Sequence, residues 1–204
     1  MATNASTRLV AGIATLLLAV PAAVTPARAQ DAVVKVGAAR VTINGTSNIH
    51  AWTAASSDVK VVRVKAAAVS EGDGWDALLA PGGVEAFEIA IPTLSLSAPK
   101  KDLDKNMHKA LKAEEHAQIV FRLSRFENGA DAAHVRALGV LRIAGVEKEI
   151  ALPLVVAREA NALKVSGELA LLMTDYGVTP PKAMMGMLRT DPKVSVKFDV
   201  SLTH

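Results

Sequence analysis

The sequence contains no cysteine, and only 3% of its 204 residues are aromatic. Without cysteine the chain has no disulfide, no thiolate metal ligand and no N-terminal cysteine for a lipid anchor. The aromatic residues are also too few for the two interfacial girdles of an outer-membrane barrel. These absences count against a disulfide scaffold, a cysteine-zinc site and an outer-membrane barrel.

The first 29 residues have the pattern of a secretory signal peptide. Arg8 precedes an apolar run over residues 9–24, and Ala27-Arg28-Ala29 has the small-x-small form of a cleavage site. This run is too short and too weakly flanked for a spanning helix, and no later run has roughly 18 apolar residues, so the sequence predicts no membrane-spanning segment in the mature chain. We expect export, most simply to a bacterial periplasm, and one mature domain over residues 30–204.

The charge of the mature chain is close to zero. The full sequence has 23 basic and 20 acidic side chains, and loss of Arg8 and Arg28 with the signal peptide leaves 21 against 20. A nucleic-acid-binding surface needs clustered basic residues. We therefore expect no nucleic-acid partner.

Apolar and polar residues alternate with period two through much of the mature chain, most clearly where Ile119, Phe121 and Leu123 share one face. This period is typical of half-buried β-strands. Turn signals such as Asn128-Gly129 and Ala144-Gly145 separate about eight such segments. Three later segments show the same pattern: Val135, Ala137, Gly139, Leu141 and Ile143; Ile150, Leu152, Leu154 and Val156; Val194, Val196, Phe198, Val200 and Leu202.

The apolar parity switches at Val61-Val62, which predicts a β-bulge and a curved sheet. About eight strands is the number at which a closed barrel is filled by side chains or holds one small ligand. The sequence therefore predicts an all-β fold, either a barrel or a sandwich.

One segment, about residues 101–113, has helical rather than strand periodicity. Leu103, Met107 and Leu111 recur every four residues among Lys and Asp side chains, which predicts an amphipathic helix. Its lysines would suit peripheral contact with anionic lipid. Acidic residues dilute that charge, so we favour a solvated helix face covering an apolar surface.

The stretch INGTSNIHAWTAAS, residues 43–56, contains Ser47 and His50, which resemble a nucleophile and a base. In one extended strand, residues three apart lie roughly 10 Å apart on opposite faces, beyond hydrogen-bond reach. No G-x-S-x-G elbow occurs elsewhere in the sequence. We therefore expect turn capping or strand polarity here, not catalysis.

Two histidines and two carboxylates, His108, Glu114, Glu115 and His116, fall within nine residues. Their spacing fits neither H-E-x-x-H nor H-x-x-E-H, because position 112 is lysine. A solvated helix end is the favoured interpretation, with no metal site.

A late segment, residues 173–192, is rich in Met, Gly and Pro. Methionine adapts to irregular apolar shapes, so Met184, Met185 and Met187 would either line a cavity or plug a barrel end. The sequence does not decide between these alternatives.

Four motifs, in order, resemble the YceI-like proteins over roughly residues 38–202. They are GTSNIHAW, LSLSAPKKDLDKNMHKALKAEEHAQIVFRL, LRIAGVEKEIALPL and MTDYGVTPPKAMMGMLRTDPKVSVKFDV. The resemblance implies a lipocalin-like antiparallel barrel with the helix near its mouth, an apolar cavity, a periplasmic location and, in some members, a bound isoprenoid-type lipid. It implies no catalysis. Ala51 departs from the family pattern, in which Asp often stands at that position.

The resulting hypothesis is a periplasmic, non-enzymatic protein that holds an apolar lipid such as a polyisoprenoid for transport, storage or an envelope stress response, with no cofactor. The alternative is a structural or interaction protein of the envelope with a filled barrel. The sequence leaves the oligomeric state open, a dimer included. The expected cavity-lining residues are Trp52, Phe87, Met107, Leu111, Phe121, Tyr176, Met185, Met187 and Phe198.

Overall fold

A computed structural model describes residues 34–66, 74–159, 161–183, 185 and 187–203. The predicted signal peptide and Met184 lie outside the described residues. Among the described residues, no helix is both long and apolar enough to cross a bilayer.

Strands dominate the described residues. The strands are β1 (Lys35–Ser47), β2 (Ala51–Ser56), β3 (Lys60–Ala66), β4 (Val84–Pro92), β5 (Gln118–Asn128), β6 (His134–Ile143), β7 (Val146–Glu159), β8 (Ala162–Leu172), β9 (Lys182–Ala183) and β10 (Leu188–Thr203). The helices are α1 (Gly74–Leu79) and α2 (Lys101–Ala110), with 3₁₀ turns at Thr93–Ser95 and Met173–Tyr176.

The main sheet follows the order β2-β1-β10-β8-β7-β6-β5-β4-β3, and short β9 pairs with β10. Every neighbouring pair is antiparallel. The all-β antiparallel prediction is confirmed, with nine strands along the path where about eight were expected. A register shift between Val61 and Arg63 is the bulge predicted from the parity switch.

The sheet curls into an incomplete barrel. β2 and β3 stand at opposite ends of the strand order, yet only Ser57 to Val59 connect them. Because an extended residue spans at most about 3.6 Å, the two ends must lie close together. The backbone of Ala55 in β2 also exchanges hydrogen bonds of 2.8 and 2.9 Å with Ser97. Between β2 and β3 themselves, the described residues form no ladder.

The predicted helix is present but shorter than expected, ending at Ala110 rather than about residue 113. Lys112 adopts a left-handed φ of 51°, which a continuing helix does not allow. Helix α1 was not predicted. It buries Trp75 and Leu79 against the main core cluster, and Arg158 pairs with Asp76 on its outer side.

Candidate ligand cavity

The barrel interior contains an apolar cavity beneath α2, here called the mouth chamber, of about 100 Å³. Strand alternation places alternate side chains of most strands in its wall, whereas Leu171 and Leu172 both line it at the end of β8. The strands contribute Ile43, Trp52, Ile119, Ile143, Leu171, Leu172, Val194 and Val196; the helix and loops contribute Leu103, Met107, Ala110, Leu111, Met173, Tyr176, Val178, Pro181 and Thr190.

Helix α2 covers the mouth chamber and is tied down at two points. Leu103 and Met107 of the helix, and Leu111 directly after its end, line the cavity, as the four-residue spacing predicts. The Ala98 backbone N–H donates to the Asp104 carboxylate, and His108 Nε2 lies 2.8 Å from the Leu96 carbonyl oxygen. The helix is therefore a fixed cover rather than a loosely placed element.

Trp52 lies in the mouth-chamber wall, and its position depends on Gly45. The two residues are partners across the β1–β2 ladder, and a Cβ at Gly45 would lie 2.2 Å from indole Cζ2. The indole N–H donates to the Thr46 carbonyl oxygen at 3.2 Å. The Asn44-Gly45 pair is thus strand, and its glycine makes room for the indole.

Tyr176 brings a phenolic hydroxyl to a chamber whose lining is mostly apolar. It is the only tyrosine of the chain and is 3% exposed. Among the described residues, no hydrogen bond to its hydroxyl is formed. Burial raises the pKa of the Tyr176 phenol, and the negative charge of Asp175 raises it further. The hydroxyl is therefore neutral at physiological pH and is suited to hydrogen bonding with a polar ligand end.

A second cavity, here called the base chamber, has a volume of about 110 Å³ and lies toward the other end of the barrel. Trp75, Leu78 and Leu79 of α1 close it, and strands form its walls. Its lining is hydrophobic throughout: Val34, Val64, Trp75, Leu78, Leu79, Val84, Phe87, Ile89, Phe121, Leu123, Phe126, Ala137, Leu152, Leu154, Leu163, Val165, Phe198, Val200 and Leu202.

Two phenylalanine rings lie where the chambers meet. The boundary falls between Ile119 and Phe121 on β5, and between Val196 and Phe198 on β10. Both rings occupy space that a missing side chain provides. A Cβ at Gly139 would lie 2.8 Å from the Phe121 ring, and one at Gly167 would lie 2.4 Å from Phe198 Cζ. We call Phe121 and Phe198 the aromatic partition.

Seven of the nine residues expected to line a cavity do so, divided between the two chambers. Trp52, Met107, Leu111 and Tyr176 line the mouth chamber. Phe87, Phe121 and Phe198 line the base chamber.

The other two residues, Met185 and Met187, do not lie where the sequence predicted. Met185 and Met187 are 105% and 66% exposed and line neither chamber. Met185 also has a left-handed φ of 54°. Trp75 and Leu79 of α1 also line a chamber, which was not predicted from the sequence. Their spacing of four was the available signal, but it occupies barely more than one helical turn.

Ser47 and His50 flank a tight turn between β1 and β2, so the extended-strand spacing expected for them is wrong. Ser47 Oγ donates to the His50 carbonyl oxygen at 2.8 Å and accepts from the His50 N–H at 3.1 Å. The imidazole Nδ1 instead faces the Ala51 carbonyl oxygen at 3.1 Å. Ser47 caps the turn, which is one of the expected alternatives, and its hydroxyl does not bond the imidazole that would have to deprotonate it.

The acidic and histidine residues around α2 do not converge. His108 bonds the Leu96 carbonyl, and His116 packs over Gly145, where a Cβ would lie 2.6 Å from the imidazole Cε1. In the part of the chain that the structure describes, no three His, Asp or Glu side chains come within metal-binding reach of one another.

Solved structures place this architecture among known folds. BcnA of Burkholderia cenocepacia matches at 16% identity and a TM-score of 0.64, covering 80% of this chain and 95% of that one. A polyisoprenoid binding domain from Saccharophagus degradans, implicated in plant cell wall breakdown, matches at 12% identity and 0.61, covering 83% and 97%. The YCEI protein of Campylobacter jejuni matches at 15% and 0.56, covering 79% and 85%.

At these identities the structural likeness establishes the fold. No curated protein matches the sequence. The YceI-like domain matches residues 29–202, nearly the whole mature chain expected from the sequence. The resemblance of the four motifs is confirmed: the chain belongs to the YceI-like family.

Proposed function

We propose that the protein binds an apolar, isoprenoid-type lipid inside the barrel and carries or stores it in the periplasm after export. The observation that supports this most directly is the pair of apolar chambers along the barrel interior. The printed description of the Saccharophagus neighbour as a polyisoprenoid binding domain supports the same ligand class.

The lining supplies affinity through burial rather than through polar contacts. Each buried CH₂ group is worth about 0.8 kcal/mol, so a five-carbon isoprene unit contributes about 3–4 kcal/mol before the costs of binding. Tyr176 offers a neutral hydroxyl at the mouth, where an alcohol or carbonyl at the ligand's polar end would bond it. We propose no catalytic role for the chain, because the function requires only uptake, retention and release.

The size of the chambers constrains the ligand. Each is about 100 Å³, well below the roughly 300–1,000 Å³ of a typical small-molecule site. A long chain therefore requires that the aromatic partition turn aside so that the chambers join. Phe121 and Phe198 would then act as a movable boundary whose displacement sets the accepted chain length.

The same small volumes favour a second candidate, an interaction protein with a filled barrel. Native mass spectrometry of the mature protein, before and after organic extraction, separates the two. The lipid hypothesis expects a bound mass in the range of an isoprenoid, lost on extraction, and uptake of all-trans-retinol by the extracted protein. An empty protein that also fails to take up retinol would support the filled barrel.

The periplasmic location is tested separately. Mature protein whose N-terminus lies near Gln30, recovered from an osmotic-shock fraction, would agree with export. Full-length chain retained in the cytoplasm would contradict it.

A further inference from the structure

Strands β7 and β8 pair along only part of their length. Their ladder joins Val155–Glu159 to residues 162–166 and then stops. Both strands continue well beyond this point. β7 pairs with β6 as far as Val146, and β8 pairs with β10 as far as Leu172. The barrel wall therefore parts between β7 and β8 on the side of the mouth chamber.

Proline explains why the ladder stops. Ala144 and Gly145 form a two-residue hairpin turn with φ of 48° and 82°, so Ile143 and Val146 point their backbone groups at each other. Along β7, the backbone N–H and C=O groups of successive residues face β6 and β8 in turn. Those of Val146 face β6, so those of Pro153 and Val155 face β8. Val155 is the last residue of β7 that pairs with β8 on this side. Pro153 occupies the next position that faces β8, and it has no N–H to donate.

The gap leaves backbone groups on both sides without ladder partners among the described residues. Continuing the register places Ala151 opposite Ala170, with Glu149 and Leu172 beyond them. We call this gap the β7–β8 split.

Several inward-facing side chains beside the β7–β8 split are partly exposed to solvent. In the paired part, Val156 and Leu163 are buried and Val165 is half-buried, and Leu154, next to the last paired residue, is also buried. Leu152 of β7 and Leu169 and Leu171 of β8, beside the split, are only half-buried. The interior is thus partly open to the outside at this place.

The split leads into the mouth chamber. It forms an open cleft of about 580 Å³, and Leu171, Leu172 and Tyr176 line both the cleft and the chamber. The path over α2 is more obstructed, since Met107 and Leu96 are buried there and the helix is held by Asp104 and His108.

The geometry points to the β7–β8 split as a lateral portal through which an apolar chain enters and leaves the barrel, an inference that rests on the proposed lipid function. The rim carries Lys148 and Lys193 together with Glu149 and Asp175. These charges balance, so the portal selects for a slender apolar chain and not for the sign of a head group.

A reversible cross-link tests the portal directly. The natural chain has no cysteine, so an Ala151→Cys/Ala170→Cys pair would close the split without competing thiols. A matched control is Ala157→Cys/Lys164→Cys, which occupies an equivalent pairing position inside the existing ladder. In a closed ladder, Cα atoms at such positions lie about 5.5 Å apart, within disulfide range, so oxidation of the Ala151/Ala170 pair requires β7 and β8 to close the split. Mass spectrometry establishes oxidation in both proteins.

The measurement is the association rate of all-trans-retinol, followed by stopped-flow fluorescence. Oxidation of the Ala151/Ala170 pair is expected to slow retinol association at least tenfold, and reduction to restore it. Oxidation of the control pair is expected to leave the rate unchanged. An oxidised Ala151/Ala170 pair with an unchanged rate overturns the portal while leaving lipid binding intact. Failure of the wild-type protein to bind retinol at all overturns the proposed function, and the portal with it.

Pro153→Val supplies a test that needs no disulfide. The added N–H is expected to extend the ladder, protecting the amides of Ala151 and Ala170 from hydrogen exchange and slowing retinol association several-fold. Increased protection without slower association would also overturn the portal.

Discussion

The mouth and base chambers are similar in volume but differ in how they are closed. Strands and α1 line the base chamber, whose lining is hydrophobic throughout. The mouth chamber has a tied helix above it, the Tyr176 hydroxyl in its wall and the β7–β8 split at its side. Under the proposed lipid function, the mouth chamber would admit and orient the ligand, and the base chamber would hold only its apolar chain.

Removal of a ring from the aromatic partition should cause the largest loss of stability among the substitutions that test this difference. Phe198→Ala removes a large side chain from the base-chamber wall and is expected to cost about 3 kcal/mol of unfolding free energy in urea titrations. The exposed Leu94→Ala, with 64% of its surface accessible, serves as the control and should change stability by less than about 0.5 kcal/mol. Equal effects of the two substitutions would show that Phe198 does not support the partition.

A substitution at Gly167, which packs against the Phe198 ring, should cause the next largest loss of stability. A Cβ at Gly167 would lie 2.4 Å from Phe198 Cζ and 2.5 Å from the Pro153 carbonyl oxygen, so Gly167→Ala should cost about 1–3 kcal/mol. At Gly37 the nearest atom would be 3.5 Å away, and Gly37→Ala should be nearly neutral. In the Phe198→Ala background the cost at Gly167 should fall, which a double-mutant cycle measures. An unchanged cost there would assign the clash to the Pro153 backbone alone.

The cover of the mouth chamber should respond to loss of a single carboxylate. Asp104→Ala removes the acceptor for the Ala98 N–H and should cost about 1–2 kcal/mol while raising hydrogen exchange across α2. Asp102→Ala is matched to it, because both residues lie in the acidic first turn of α2 and Asp102 is exposed. If both variants behave alike, the effect comes from the helix dipole and not from the tie to Ala98.

The sequence predicted the strand walls better than the ends of the barrel. Period-two alternation identified β5, β6, β7 and β10, because one buried face imposes the pattern along a whole strand. The ends depend on contacts between distant residues. Asn-Gly pairs are typical of tight turns, but Asn44-Gly45 lies within β1, where Gly45 accommodates the Trp52 indole. The turn itself is at Ser47–His50 and contains no glycine.

The β7–β8 split shows a similar limit. Pro153 is visible in the sequence, but its effect depends on which neighbour its backbone faces, and that follows from the hairpin at Ala144-Gly145. The exposed Met185 and Met187 likewise show that apolar composition does not reveal which way a loop turns.

The smallest effect is expected from changes at the Tyr176 hydroxyl, a group that the base chamber lacks. As the only tyrosine, Tyr176 alone reports in an ultraviolet titration of tyrosinate. Burial raises the pKa of Tyr176 above the ordinary value of about 10, and the negative charge of Asp175 makes a smaller contribution in the same direction. Because the folded state holds this proton more tightly, the associated stability is fully present below about pH 10 and is lost as pH rises through the folded pKa.

Asp175→Asn should lower the apparent pKa of Tyr176 while leaving it above that of the unfolded chain, because burial is the larger cause. Tyr176→Phe should weaken binding of all-trans-retinol, which has a hydroxyl end, but not of a hydrocarbon of similar length. Equal weakening of both ligands would place the polar end of the ligand away from Tyr176, and the mouth chamber would then differ from the base chamber only in its access to solvent.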